Sequence, residues 1–359
     1  MRNRRAQLCA GRASALSCAG IPLLFLILCS SLISSAHSAC AAPAGRRLQG
    51  AASAPDRLLQ SPTDNYVAGM EFIESWQRKR MPLKVYYKPG SDIPGFDPQY
   101  VDEAKAACQE WTRATDGKIS FQTVDEAKDA DIEFNWTTLL APDLEHTLTL
   151  GTTCPDTVGG EGIVHARIAI LTTLDKKHVS LLAMKWAAMH ELGHALGLGH
   201  SLRPSDVMYK DVFILSEVKG GDKEILPTSP NICLTSRDRT TMNVVYAAKK
   251  IIDDIRAKGF DKRNTCHDLC RAAANCMTNG DSGSAIIVLN EILRLDKTYS
   301  VASENLMAAY YNCGAALYNK NLKAEARQVL AKAINIGKTV GDQCRLNAVV
   351  AVYRNCQGN

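Results

Sequence analysis

His190-Glu191-Leu192-Gly193-His194-Ala195-Leu196-Gly197-Leu198-Gly199-His200 is the stretch that decides how the chain folds. Two histidines four apart on a helix stand one above the other on the same face, so both imidazoles reach one metal ion. Glu191 follows the first of them, placed to take a proton from a metal-bound water and too short to bind the metal itself. Gly197 lets the backbone leave the helix in a conformation that side-chain-bearing residues resist. That turn brings His200 round as a third ligand. Three histidines with a fourth position open are characteristic of a catalytic zinc, whereas structural zinc sites close with four protein ligands.

Outward from this stretch, Met208 lies eight residues after His200, in Asp206-Val207-Met208-Tyr209. A helix from about Ser180 is expected to bury Leu182, Trp186, Met189 and Leu196 and to deliver the ligands. Upstream, Gly162 to Leu171 is the most apolar strand candidate. Lys84 to Tyr87, Ile119 to Val124 and Ala130 to Phe134 read as further strands, the last two by alternation. The polar, Thr-rich run His146 to Thr153 reads as an edge strand. A helix over 98–115 sets Val101, Ala104, Cys108 and Trp111 on one face, which makes Cys108 a buried free thiol. Downstream, 211–230 reads as a loop-like insertion, and Leu234 to Asp238 caps a last helix running through Val245 and Tyr246.

These residues resemble the matrixin, or matrix-metalloproteinase-like, branch of the metzincin peptidases. The resemblance is carried by the HExxHxxGxxH pattern, Ser201 directly after the third histidine, and Met208 at the position of the Met-turn. Ala107-Cys108-Gln109-Glu110-Trp111, Phe121 and Ala130-Asp131-Ile132 follow the family's order upstream, and the similarity covers about 76 to 248. It implies an α+β metzincin-like domain, a twisted mixed sheet with an active-site helix, and zinc-dependent endopeptidase activity with Glu191 as general base toward a zinc-activated water. It also implies Zn²⁺ on His190, His194 and His200, and Met208 packed beneath the site. Asp131 stands where the family binds calcium, though a strand-end aspartate facing solvent fits the residue equally. Departures are visible. No cysteine-switch motif precedes the domain. His146 is followed by Thr147 and Leu148 rather than the His-x-Asp of the family's second zinc, and Lys210 replaces a proline that helps wall the specificity pocket. His146, His165 and His178 otherwise read as surface or core residues.

The 359 residues allow two domains, and 46% apolar with 22% charged residues is ordinary for a globular protein. Of the formal net charge of +5, four units come from Arg2, Arg4, Arg5 and Arg12, which leaves about +1 and excludes neither partner type but favours no nucleic acid or anionic membrane. Residues 1–39 read as a signal peptide. The apolar run Ile21 to Ile33 is too short to span a bilayer, so no stable span is expected after cleavage. The reading is a secreted or extracytoplasmic protein, with lipid anchoring through Cys40 as the alternative. Residues 40–75 follow as a flexible linker or short prosegment, then 76–249 as the zinc domain and 250–264 as a second linker.

Residues 265–359 read as a helical domain resembling tetratricopeptide (TPR) repeats. Tyr310, Cys313, Gly314, Leu317, Ala326, Leu330 and Ala333 fall at positions 4, 7, 8, 11, 20, 24 and 27 of a 34-residue unit, and Leu269 to Ile292 carry a fainter copy. Cys344 to Cys356 reads as a capping helix. A plain helical bundle is the competing reading. Six of the 13 cysteines lie in this last part, which suggests disulfide stapling, and Cys154 and Cys233 are a further candidate pair. The partners expected are a protein or peptide substrate and a protein docking on the TPR-like surface. An exported interaction module carrying an inert or weakly active zinc domain is the alternative to a peptidase.

Overall fold

Strands of β-branched and aromatic residues build one mixed sheet, and the helices that bury it carry small or apolar residues on one stripe. The computed structural model describes residues 63–71, 73–140, 150–174, 177–210 and 233–357, together with the backbone of 213–217 and 223–227. The sheet consists of β1 (Leu83–Tyr87), β2 (Phe121–Thr123), β3 (Ile132–Thr137), β4 (Gly151–Val158) and β5 (Gly162–Leu171) in the order β2-β1-β3-β5-β4. The first four neighbours pair in parallel, and β4 closes the edge antiparallel to β5. Alternation works as the period-2 rule requires: Ile132, Phe134 and Trp136 of β3 are buried and their neighbours are not. Two two-residue strands, β6 (Thr173–Leu174) and β7 (Lys177–His178), follow β5.

Helix α1 (Gln99–Ala114) packs on α2 (Leu181–Ala195), and α2 lies against β4 and β5. Ser180 caps α2 by accepting from the Ala183 N–H, as an N-cap serine does. Trp111, Trp186, Met189 and Leu196 are fully buried in this layer. Leu182, expected inside, is instead exposed, because it faces away from the sheet on the first turn. Among the described residues the edge strand runs 151–158, past the expected end at Thr153; residues 141–149 are outside the described residues, and His146 with them. Pro155 sits in this edge strand, where its missing N–H costs no ladder bond. The insertion over 211–230 is not wholly loop: β8 (Phe213–Glu217) and β9 (Lys223–Pro227) form an antiparallel hairpin.

Two expected linkers are structured. Within 250–264, residues 250–256 end α3 (Ser236–Arg256), 257–261 form a short turn and 262–264 open α4 (Lys262–Thr278). Ile252 is buried, and Lys249–Asp253 and Lys250–Asp254 pair at i,i+4, which carries the helix past the expected boundary. Within 40–75, residues 63–70 are packed rather than loose. Tyr66, Val67 and Met70 are buried, the Tyr66 N–H donates to Thr241 Oγ1 (3.2 Å) and its hydroxyl to Asp238 Oδ1 (3.0 Å). Single apolar residues between polar ones give no period, so sequence patterning could not mark this strap.

After α4 come α5 (Ser282–Leu295), α6 (Ser300–Asn319), α7 (Lys323–Val340) and α8 (Gln343–Asn355), each packed on the next. Tyr310, Cys313, Leu317, Ala326, Leu330 and Ala333 are all buried. A Cβ on Gly314 would lie 2.5 Å from Leu330 Cγ, so position 8 of the unit is small because α7 approaches there. Helix α3 also packs on α5, and the described residues from 63 onward form one compact unit. The strap fills part of the surface between the two halves: Lys332 Nζ donates to Met70 O, and Gly69 abuts Gln328. The strap therefore covers part of α7. The disulfide expectation is overturned. The nine cysteines of the described residues are free, Cys154 and Cys233 among them, and Cys266, Cys313 and Cys356 are buried as small apolar groups.

Gly314→Ala should destabilise the protein by about 1–3 kcal/mol through overpacking against Leu330, read as a lower urea midpoint at unchanged slope. An unchanged midpoint would mean that α6 and α7 have room to spare there.

Candidate metal centre

The ligand helix ends in a turn that its own sequence dictates. Leu198 N–H donates to Gly193 O and Gly197 N–H to His194 O, each at 2.9 Å, the paired bonds of a Schellman motif. Gly197 has φ +100°, and a Cβ there would overlap the Glu74 backbone carbonyl, so only glycine fits. The carbonyls orphaned at the helix end find side chains: Trp76 Nε1 donates to Ala195 O (2.8 Å) and the Tyr246 hydroxyl to Leu196 O (3.3 Å).

Beyond the turn the three expected histidines come together. Their ligand atoms lie within 4.8 Å of one another, with His194 Nε2 standing 3.1 Å from His190 Nε2 and 3.2 Å from His200 Nε2. His190 Nδ1 donates to Val207 O and His194 Nδ1 to Leu198 O, each at 2.7 Å. These bonds fix the tautomer with the proton on Nδ1. The short contact between His190 Nε2 and His194 Nε2 is then two lone pairs facing each other, not a hydrogen bond. Nitrogens about 2.0–2.1 Å from a tetrahedral zinc stand about 3.3 Å apart, close to the two separations here. Burial, and then the neighbouring imidazoles, push the His190 pKa well below the ordinary histidine value and that of His194 down to about 4, so both rings stay neutral near pH 7.

Met208 is fully buried beneath the helix, its sulfur so close to Gly193 that a Cβ there would overlap it. Glu191 is buried too, and burial raises its carboxyl pKa to about 7, opposed by a hydrogen bond from Thr153. Thr153 Oγ1 lies 2.7 Å from Glu191 Oε2 and 2.9 Å from Glu191 O. A Cβ on Gly151 would lie 2.6 Å from Glu191 Cγ. Gly151 and Thr153 of β4 thus shape the carboxylate's slot, a role no spacing in the sequence announced, since only the pairing of β4 beside β5 brings them there.

The other candidates go elsewhere. Asp131 Oδ1 accepts from Arg80 Nη1 (2.9 Å) and Oδ2 from the Lys84 N–H (2.9 Å), so a guanidinium and a backbone amide take the oxygens considered for calcium. His165 sits on the sheet between Glu133 (3.0 Å) and Asp156 (3.4 Å). Cys108 is buried beside the Tyr87 hydroxyl, and burial pushes its thiol up to about 12.

Residues 75–219, less than half of the chain, match the matrixin family of peptidases. No curated protein matches the chain. The stretch that holds the sheet, the ligand helix and the Met208 turn is therefore a matrixin domain with a three-histidine metal site.

The raised Glu191 pKa has a consequence for the metal-free protein. Between about pH 4.5 and 7 the native state holds more protons at this site than the unfolded chain, so stability falls as pH rises through that window. Glu191→Gln carries no such charge. The variant should gain on the parent by about 3 kcal/mol between pH 4.5 and pH 8, at roughly 1.4 kcal/mol per pKa unit. Urea unfolding of both proteins in chelator at the two pH values measures this, and a gap independent of pH would contradict the assignment.

Proposed function

We propose that the matrixin domain is a zinc-dependent endopeptidase of an exported protein. The observation that carries this reading is the convergence of three imidazole Nε2 atoms, two of the rings held by an Nδ1–carbonyl bond, in a domain of a peptidase family. His190, His194 and His200 would hold the zinc. Bound there, the ion would supply a Lewis acid for the scissile carbonyl and a water acidic enough to ionise near neutral pH.

The chain's own residues supply the rest. Glu191 serves as general base, taking the proton of the attacking water and returning it to the leaving amine. Thr153 holds one carboxylate oxygen, so Glu191 keeps a single orientation through both transfers. An extended substrate would add to the outer side of β4, the last strand of the sheet among the described residues, by strand addition. Backbone pairing of this kind selects an extended peptide rather than a sequence.

Export rests on the leader, with its arginines, its apolar run from Ile21 to Ile33 and the small residues after it. These residues lie outside the described ones. Among the described residues no helix is long and apolar enough to cross a membrane.

Glu191→Ala should keep one zinc per chain and lose casein hydrolysis by about 100-fold or more, since general-base catalysis contributes on that order. A chelator should abolish the parent's cleavage and zinc should restore it. Near-parental turnover in the zinc-loaded variant would remove Glu191 from the mechanism, and chelator-resistant cleavage would remove the metal.

A further inference from the structure

The loop from His200 to Met208 closes on itself and carries the support of two ligands. The Ser201 N–H donates to Met208 O (2.7 Å), directly after His200, and Val207 O receives the His190 Nδ1 proton. Inside the loop Ser201 Oγ donates to Asp206, and Asp206 Oδ1 accepts from Thr235 Oγ1 (3.1 Å). Arg237 Nη1 reaches Asp206 Oδ2 (2.5 Å) and Ser201 Oγ (3.1 Å), and its guanidinium lies 5.2 Å over the Tyr66 ring. Both the Arg237 and Asp206 side chains are almost wholly buried.

The network does not end within the matrixin domain. Glu325, on α7 of the helical half, accepts from Arg237 Nη2 at Oε2 (2.6 Å) and from Arg203 Nε at Oε1 (2.7 Å). Arg203 lies in the same loop, three residues past His200. One carboxylate thus bridges the loop to the helix that anchors it, using one oxygen for each arginine.

We propose that Glu325 is a positioning residue for the metal centre, so that the helical half completes the site instead of merely adjoining it. The proposal rests on the zinc reading above. The buried Arg237 guanidinium and the part-exposed Arg203 guanidinium both face this point, and among the described residues Arg237 Nε and Arg203 Nη2 already have no hydrogen-bond partner. Asp238 is engaged elsewhere: its carboxylate takes the Tyr66 hydroxyl at Oδ1 and the Thr235 and Val207 N–H groups at Oδ2. Without Glu325 the two arginines share the charge of Asp206 alone, which draws Arg203 toward Asp206 and pulls the loop off His200. A glutamine at 325 fails in its own way, because its amide nitrogen presents donors to donors.

A second ion pair across the same packing provides the control. Glu291 of α5 accepts from Arg256 and from Arg294 (2.8 and 2.9 Å), and Arg256 also donates to Gly160 O; none of these bonds reaches residues 200–208. A purely structural role for such pairs would make the two glutamates equivalent.

The test is zinc competition against a chromophoric chelator, run on the full chain as parent, Glu325→Gln and Glu291→Gln, with folding checked by circular dichroism. The zinc Kd of Glu325→Gln should rise about 10- to 100-fold, the range for lost supports of metal ligands, while that of Glu291→Gln stays within about 2-fold of the parent. If Glu325→Gln does not fold, Arg203→Gln removes one arm of the fork and should raise the Kd at least about 3-fold. A parent that binds zinc, with Glu325→Gln and Arg203→Gln binding as tightly or Glu291→Gln weakened equally, overturns this inference alone. A folded parent that binds no zinc overturns the metal reading, and this inference with it.

Discussion

Three imidazole nitrogens cannot be left to find one another. With Nε2 atoms 3.1–3.2 Å apart, and those of His190 and His194 presenting lone pairs to each other, they crowd one another unless a cation sits among them, so the surrounding fold has to hold them against that repulsion. The hold is built from several weak devices acting in series. Carbonyls of Val207 and Leu198 fix two rings through Nδ1, the left-handed turn at Gly197 sets the direction of the third, and Met208 fills the floor against Gly193. Each device sits on a different segment, and those segments stay in register only because α2 is itself clamped. Trp111 and Trp76 donate indole protons to carbonyls of the helix from opposite ends of the domain, at Met189 and Ala195. Preorganisation of this kind replaces the entropy cost that a flexible chain would meet on binding a metal.

The same burial that keeps the histidines neutral works against Glu191. A carboxylate with one hydroxyl partner and no cation beside it is costly to ionise, and its pKa rises toward neutrality as a result. In a structural protein that would be a defect. Beside the three histidines it costs the metal-free chain stability as pH rises. Gly151 keeps the slot open and Thr153 orients the carboxylate, so the strand that offers its edge to a substrate also shapes the base.

The parts of this arrangement that are local in sequence could be read from it. The ligand helix, its glycine exit, the buried Met208, β5 at 162–171, and the faces of α1 and α6–α7 all follow from residue types at fixed spacing. What could not be read depends on contacts between segments distant in the chain. The strap at 63–70 buries isolated apolar residues against α3 and α7 without any period. The hairpin at 213–227 sits in a stretch whose glycines and charges read as loop. Thr153 acts on Glu191 across 38 positions. The cysteine count pointed to stapling, yet Cys313 and Cys356 are buried in the packing of the last helices as ordinary small residues, and packing of that kind leaves no mark that separates it from pairing.

The helical half also changes meaning once the contacts are known. Repeats of helical hairpins ordinarily present a face to a partner, and spacing alone suggests such a face here. In the folded chain α3 runs from the ligand loop into that half without a break, and the strap lies between them, so part of the face is already used. Glu325 then reaches back into the loop after His200. A buried carboxylate that serves two arginines contributes little net stability over an apolar contact of the same shape. What it supplies is geometry, because only one arrangement of Arg203 and Arg237 satisfies both oxygens. For a site whose ligands must be held together against their own repulsion, that restriction is worth more than the energy of the pair.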